Sequence, residues 1–216
     1  MPSLGEQLNK NRMAMRDGVR AAYVAMVAEL ASRGLLEHVL ATGQCFPDVA
    51  LPTAAGDFVR LSDWWRQGPV VVTFFRGEWC PYCRLMLAAL EEALPEIEAF
   101  GARLVAVTPE TGGRALAAKA RHGERYEVLS DVDCGLGLTC GVVFQTPRVY
   151  RDLLLSYGND LAERHGNDAW FLPLPATFVL DREGIVRWRF AEVDFTRRAE
   201  PADIIDVLRR LAATTG

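Results

Sequence analysis

Residues 74–83 read Phe-Phe-Arg-Gly-Glu-Trp-Cys-Pro-Tyr-Cys, and this stretch decides the fold of the chain. It begins inside a continuous β-branched and aromatic run, Val70 to Phe75, which is typical of a strand buried on both faces. A helical pattern follows it, carried by Leu85, Leu87, Leu90 and Leu94. The stretch therefore joins a buried strand to a helix, and such loops lie in the crevice where open α/β sheets bind ligands.

The chemistry of this loop centres on its two cysteines. If the helix begins near Cys80, Pro81 occupies the first turn, where a missing N–H costs nothing. Cys80 then lies at the positive end of the helix dipole, with Arg76 and Arg84 nearby, and we expect it to be the acidic, reactive thiol. Cys83 lies one turn further along the same face, which predicts a resolving thiol.

A structural zinc site is the alternative interpretation of a Cys-x-x-Cys pair, with Cys134 and Cys140 as the second pair. Their spacing of six positions does not give the tight second pair that such sites usually have, so we expect no metal and no other cofactor. We expect both cysteines, and Cys45, to be small core residues without a redox role.

The remaining patterns predict an α/β domain. Further strands are expected at residues 104–107, 176–180 and 185–190, with helices between them and after Pro201. This order implies a central mixed sheet flanked by helices on both faces. We assign residues 43–216 to this domain and residues 1–42 to an N-terminal helical extension, whose apolar stripe must be covered by the main domain or by a second subunit, as in a homodimer.

Composition excludes several classes of partner. The 216 residues carry 28 acidic and 24 basic side chains, which gives a formal charge of −4. Binding to nucleic acid or to an anionic membrane is typical of chains with an excess of positive charge, so we expect neither partner. The longest uncharged apolar run is too short to span a bilayer, and charges near the first residues argue against a signal peptide. We expect a cytoplasmic protein.

Four segments resemble the alkyl hydroperoxide reductase and thiol-specific antioxidant group, the peroxiredoxin-like branch of the thioredoxin superfamily. They are the opening hairpin from Cys45 to Leu51, the loop from Phe74 to Cys83, residues 104–110 with 129–131, and residues 175–181 with Gly184. The resemblance implies a thioredoxin-like fold for about three quarters of the chain.

The resemblance also implies roles for individual residues. Cys80 becomes the peroxidatic or attacking cysteine and Cys83 its partner, while Trp79 shapes access and Pro175 is a cis-proline facing the reactive cysteine. The loop departs from the usual peroxidase pattern, because Gly77 stands where that pattern has a hydroxyl side chain.

Arg76 is the candidate to supply the polarisation of the O–O bond that this hydroxyl gives in the usual pattern. With Gly77, Trp79, Pro81 and Pro175, it makes up the predicted support around the two cysteines.

Three functions follow from this pattern. In the first, Cys80 attacks a peroxide, Cys83 condenses with the sulfenic acid, and a thioredoxin or glutathione system reduces the disulfide. In the second, the chain is a thiol-disulfide oxidoreductase acting on protein disulfides. In the third, it is a non-catalytic or zinc-binding interaction module.

Overall fold

The computed structural model describes residues 2–111, 113–122 and 125–215. The strands are β1 (Ala50–Pro52), β2 (Phe58–Arg60), β3 (Val70–Phe74), β4 (Arg103–Thr108), β5 (Glu127–Ser130), β6 (Val143–Gln145), β7 (Phe171–Pro173), β8 (Ala176–Leu180) and β9 (Val186–Ala191). The α-helices are α1 (Leu4–Met13), α2 (Asp17–Ser32), α3 (Ser62–Trp65), α4 (Pro81–Ala99), α5 (Arg114–His122), α6 (Gly135–Thr139), α7 (Arg148–Ser156), α8 (Leu161–His165) and α9 (Pro201–Thr215).

A five-stranded mixed sheet forms the centre, in the order β5-β4-β3-β8-β9. β3 lies in the middle, parallel to β4 and antiparallel to β8, and all five of its residues are buried. Its side chains alternate between two apolar clusters, with Val71 in one and Val70 and Val72 in the other. The predicted mixed sheet with helices on both faces is confirmed, and the continuous apolar run of β3 follows from this double burial.

The two faces of the sheet carry different elements. The larger cluster packs α4, α5 and α9 against the sheet, together with α1, α2 and α7. The smaller cluster is covered by α3, α6 and the β1–β2 hairpin, through Trp65, Leu136 and Leu51. β6 and β7 form a separate antiparallel pair beside these layers.

The N-terminal helices pack on the main domain. α1 contacts α4, and α2 contacts α7. Their buried side chains belong to the same apolar cluster as α4: Leu4, Leu8, Tyr23, Met26 and Leu30. The sequence left open whether the main domain or a second subunit covers the apolar stripe of the N-terminal helices. In the structure the main domain covers it.

Several short elements were not predicted. β6, β7 and α8 have three to five residues each, and too few positions repeat in such segments to give a periodic signal. In the described part of the chain, no helix is both long enough and apolar enough to cross a membrane.

Two expectations are wrong. The peptide bond before Pro175 is trans, as are all the others between described residues. The chain runs extended from β7 into β8, where Leu174 donates its N–H to Val142 O, and the trans isomer, favoured even before proline, suits this path. Cys45 is exposed rather than buried. Successive side chains of an extended segment point to opposite sides, and here the ring of the next residue, Phe46, occupies the core.

Candidate active site

The two loop cysteines lie together on the first turn of α4. Cys80 is the N-cap residue, and Pro81 follows as the first helical residue, as the sequence predicted. The carbonyl of Cys80 accepts the N–H groups of Cys83 and Arg84, each at 3.1 Å. Cys80 is 2% exposed and Cys83 is 1% exposed, so the pair is shielded from bulk water.

Positive groups converge on Cys83 rather than on Cys80. The Sγ of Cys83 accepts the backbone N–H of Arg76 at 3.4 Å and Nη2 of Arg198 at 3.5 Å. Burial raises the pKa of Cys83, but a hydrogen bond from the Cys80 thiol and these two donors outweigh it and leave the pKa well below the usual thiol range. The hydrogen bond to Cys83, followed by burial, raises the pKa of Cys80. The two pKa shifts thus have opposite directions, downward at Cys83 and upward at Cys80.

These directions differ from the expectation that Cys80 is the acidic thiol. Position at the helix terminus favours a thiolate at Cys80, but a direct hydrogen bond and the arginine contact favour it more at Cys83. Arg84, expected nearby, is exposed. The second cation of the site is Arg198, which follows β9.

Arg76 is a fully buried cation in an aromatic box. Its guanidinium lies 4.4 Å from the ring centroid of Phe195 and donates to Tyr150 Oη at 3.3 Å and to Pro173 O at 3.4 Å. Within the described ranges no carboxylate forms an ion pair with Arg76 or Arg198. Since buried charges without a counter-ion are costly, the two guanidinium groups favour a thiolate over a thiol at the cysteine pair.

Glu110 fixes the shape of the loop in front of Cys80. It is fully buried after β4 and accepts the N–H of Glu78 at 3.0 Å and Nη1 of Arg164 at 3.1 Å. Gly77 has a φ of +140°, and a Cβ there would stand 2.5 Å from the carboxyl carbon of Glu110. Glycine is therefore required at position 77 on both conformational and steric grounds.

A cavity of about 500 Å³ reaches Cys80. Its walls come from the α1–α2 junction, from α7, and from Trp79, Tyr82 and Phe195. Cys83 does not line this cavity. Trp79, expected to shape access to the reactive cysteine, is half-buried in the wall.

Pro175 lies at the same edge of the sheet as the loop. The next residue, Ala176, pairs with Phe74 at the end of β3, from which the loop leaves. The structure therefore brings Arg76, Gly77, Trp79 and Pro81 together around the cysteine pair and places Pro175 beside the strand that carries them.

The other buried cysteines lie apart from the pair. Burial raises the pKa of Cys134 to about 12, and burial likewise raises that of Cys140. Among the residues the structure describes, no three or more His, Cys, Asp or Glu side chains are grouped so as to hold a metal ion. Cys134 and Cys140 thus do not join Cys80 and Cys83 in one cluster.

Sequence reasoning missed Arg198, Tyr150, Phe195 and Glu110. Arg198 and Phe195 follow the last strand without any motif, and Tyr150 is one apolar position of α7. Only Glu110 carried a signal, because it comes directly after a buried parallel strand, at the edge where functional side chains collect.

The sheet order, with a Cys-x-x-Cys pair on the first turn of the helix after the central strand, defines a thioredoxin-like fold. A model of the AhpC/TSA family matches residues 42–189, more than half of the chain. The chain belongs to this family, so the predicted resemblance and the oxidoreductase class that it implied are confirmed.

Solved peroxiredoxins share the fold. The peroxidoxin BcpB of Mycobacterium tuberculosis superposes with a TM-score of 0.62 at 20% identity, covering 79% of this chain and 97% of that one. A mutant of the peroxiredoxin 6 of Arenicola marina gives 0.64 at 15% identity, covering 82% and 75%. At these identities the likeness concerns the fold alone.

Two curated proteins are similar over a shorter segment. The prostamide/prostaglandin F synthase of Salmo salar is 36% identical over 63 residues, which are 29% of this chain and 32% of that protein. The Danio rerio protein of the same name is 34% identical over 61 residues, 28% of this chain and 30% of its own. The match thus spans about a third of the length of these relatives.

Proposed function

We propose that the chain is a thiol peroxidase in which Cys80 attacks the peroxide and Cys83 resolves the product. The observation that carries this proposal is that Cys80 lines the cavity at the loop, whereas Cys83, on the first turn of the same helix, does not. The substrate thus meets Cys80 first, and the second cysteine follows one turn further along the helix.

We assign Cys83 a second role, as the base that prepares Cys80. Cys83, whose pKa is lowered, accepts the proton of Cys80, which leaves Cys80 as the thiolate at the N-terminus of α4. Cys80 Sγ then attacks the terminal oxygen of ROOH, the O–O bond breaks, and RO⁻ leaves and takes a proton from water. Cys80 is oxidised to the sulfenic acid in this step.

Resolution completes the cycle. The Cys83 thiol attacks Cys80 Sγ, the S–O bond breaks, and water leaves as the disulfide forms. In sum, the dithiol and ROOH give the disulfide, ROH and water. An external dithiol of the thioredoxin type, or glutathione, then reduces the disulfide in two exchange steps.

The recessed position of Cys80 favours a peroxide over a protein disulfide. A sulfur that is 2% exposed at a cavity wall is accessible to a small or slender molecule, while a folded protein substrate must bring its own sulfur into the cavity. We therefore rank the thiol-disulfide oxidoreductase second, and the non-catalytic or zinc-binding module third.

Stopped-flow oxidation of the reduced protein by hydrogen peroxide tests the proposal. We expect Cys80→Ser to abolish the fast phase and Cys134→Ser, a change at another buried cysteine, to preserve it. Oxidation of the native protein no faster than that of free cysteine, together with rapid exchange with a disulfide-bonded protein, would instead support the second function.

A further inference from the structure

The cavity at Cys80 has a composition that the peroxide chemistry alone does not require. Hydrogen peroxide needs no apolar wall, yet Met15 and Val19 from the N-terminal helices face Leu153 and Leu154 of α7 across this space. A volume of about 500 Å³ lies within the range of small-molecule binding sites. The cavity is thus large and apolar enough to hold a hydrocarbon chain.

Among the described residues, the wall of the cavity at Cys80 carries positive charge and no negative charge. Arg16, an exposed residue at the N-cap of α2, is the only charged side chain that lines the cavity among the residues described, and no Asp or Glu joins it. Arg16 forms no ion pair with any described residue. A ligand with an apolar chain and a terminal anion complements this arrangement, whereas a cationic ligand does not.

Part of the wall comes from outside the family match. Met15, Arg16 and Val19 precede residue 42, where the AhpC/TSA match begins. α2 is held in place by its contact with α7 and by the edge-to-face pair of Tyr23 and Phe195, whose centroids are 5.2 Å apart. The extension therefore adds a rigid wall to a cysteine site that the family domain already contains.

We propose that the α1–α2 junction and α7 form a tail-binding site, which makes the enzyme selective for peroxides of long-chain carboxylic acids. This inference rests on the proposed peroxidase function. The O–O group meets Cys80, the chain lies between Val19 and Leu153, and the carboxylate pairs with Arg16. Val19, Leu153 and Arg16 are then specificity-determining residues, and the N-terminal helices have a function beyond packing.

The test compares oxidation of the reduced protein by linoleic acid hydroperoxide, its methyl ester and hydrogen peroxide. The native protein is expected to react at least about tenfold faster with the long-chain acid than with hydrogen peroxide, since each buried methylene adds to binding. Val19→Trp fills the cavity and should lower the ratio of these two rate constants at least about tenfold. Val24→Trp on the exposed side of α2 is the matched control and should preserve the ratio.

Arg16→Gln gives an independent readout. It should slow reaction with the acid about threefold, as expected for an exposed ion pair, with a smaller effect on the methyl ester. Linoleate itself should bind to the Cys80→Ser protein in calorimetry, and more weakly to Cys80→Ser carrying Val19→Trp.

The outcomes separate the two proposals. Equal rates for all three peroxides, all lost in Cys80→Ser, would overturn the tail site and leave the peroxidase intact. An unchanged ratio in Val19→Trp would also overturn the tail site. If no peroxide reacts, both proposals fail, even if linoleate binds.

Discussion

Arg198 donates a hydrogen bond from Nη2 to Cys83 Sγ at 3.5 Å, across 115 residues of sequence. Arg198 is 6% exposed, and its guanidinium also donates to the backbone carbonyls of Phe195 and Arg197. The segment after β9 is therefore tied to the first turn of α4 through the charge of the cysteine pair. This contact is one of the causes that lower the pKa of Cys83.

Arg198→Met should raise the pH at which the thiolate of the reduced protein forms. Removal of the buried cation takes away one of the causes that offset the burial of Cys83, so the pKa rises toward its ordinary value. Ultraviolet absorbance of the thiolate against pH measures this change, and we expect oxidation by peroxide at neutral pH to slow about tenfold. Arg197→Met is the control, because Arg197 is exposed and pairs with Glu192. Identical titrations of native and Arg198→Met protein would show that Arg198 does not stabilise the thiolate.

Gly77→Ala should damage both stability and activity. The new methyl group meets the Glu110 carboxylate, and position 77 has a φ of +140°, so we expect a loss of about 3 kcal/mol in the free energy of unfolding and a large loss of peroxidase rate. Gly56→Ala separates strain from collision, since Gly56 has a φ of +98° but nothing within 4 Å of its Cβ position. That control should lose about 1 kcal/mol. Urea unfolding of both variants measures the difference, and equal losses would mean that the contact with Glu110 is unimportant.

His165 should make the fold sensitive to acid. Burial, followed by the charges of Arg164 and Arg114, lowers the pKa of His165 from 6.5 to about 4. Between these values the unfolded chain binds a proton that the folded chain does not, so stability falls as pH falls, by up to about 1.4 kcal/mol per pH unit. Denaturant unfolding from pH 7 to pH 4 should therefore show a flatter dependence for His165→Gln than for the native protein. Parallel curves would mean that His165 does not contribute to acid sensitivity.

Much of the fold follows from local patterns. The run from Val70 to Phe75 predicts the central strand, and the leucines after Cys83 predict α4, because both elements bury apolar surface at a regular period. The cysteine pair and Pro81 could be placed at the helix start because the strand before them and the helix after them were both predicted. β6 and β7 could not be predicted, because their three-residue strands depend on each other and have no pattern of their own.

The electrostatics of the site could not be predicted from the sequence. The approach of Arg198 to Cys83 depends on how β9 and the segment after it fold back over the sheet, and an arginine in that segment carries no local signal. The pKa directions of the two thiols depart from the sequence expectation for this reason: the position of Cys80 at the helix start is visible in the sequence, and the approach of a distant cation to Cys83 is not. The place of α2 against α7 likewise depends on tertiary packing.

Mass spectrometry of peroxide-treated protein tests the central claim, that Cys80 attacks and Cys83 resolves, most directly. Native protein should lose two hydrogens and yield a peptide in which Cys80 is bonded to Cys83. The Cys83→Ser protein, treated with a sulfenic acid trap, should carry the adduct on Cys80, and the Cys80→Ser protein should carry none. An adduct on Cys83 of the Cys80→Ser protein, formed at the native rate of oxidation, would contradict the claim.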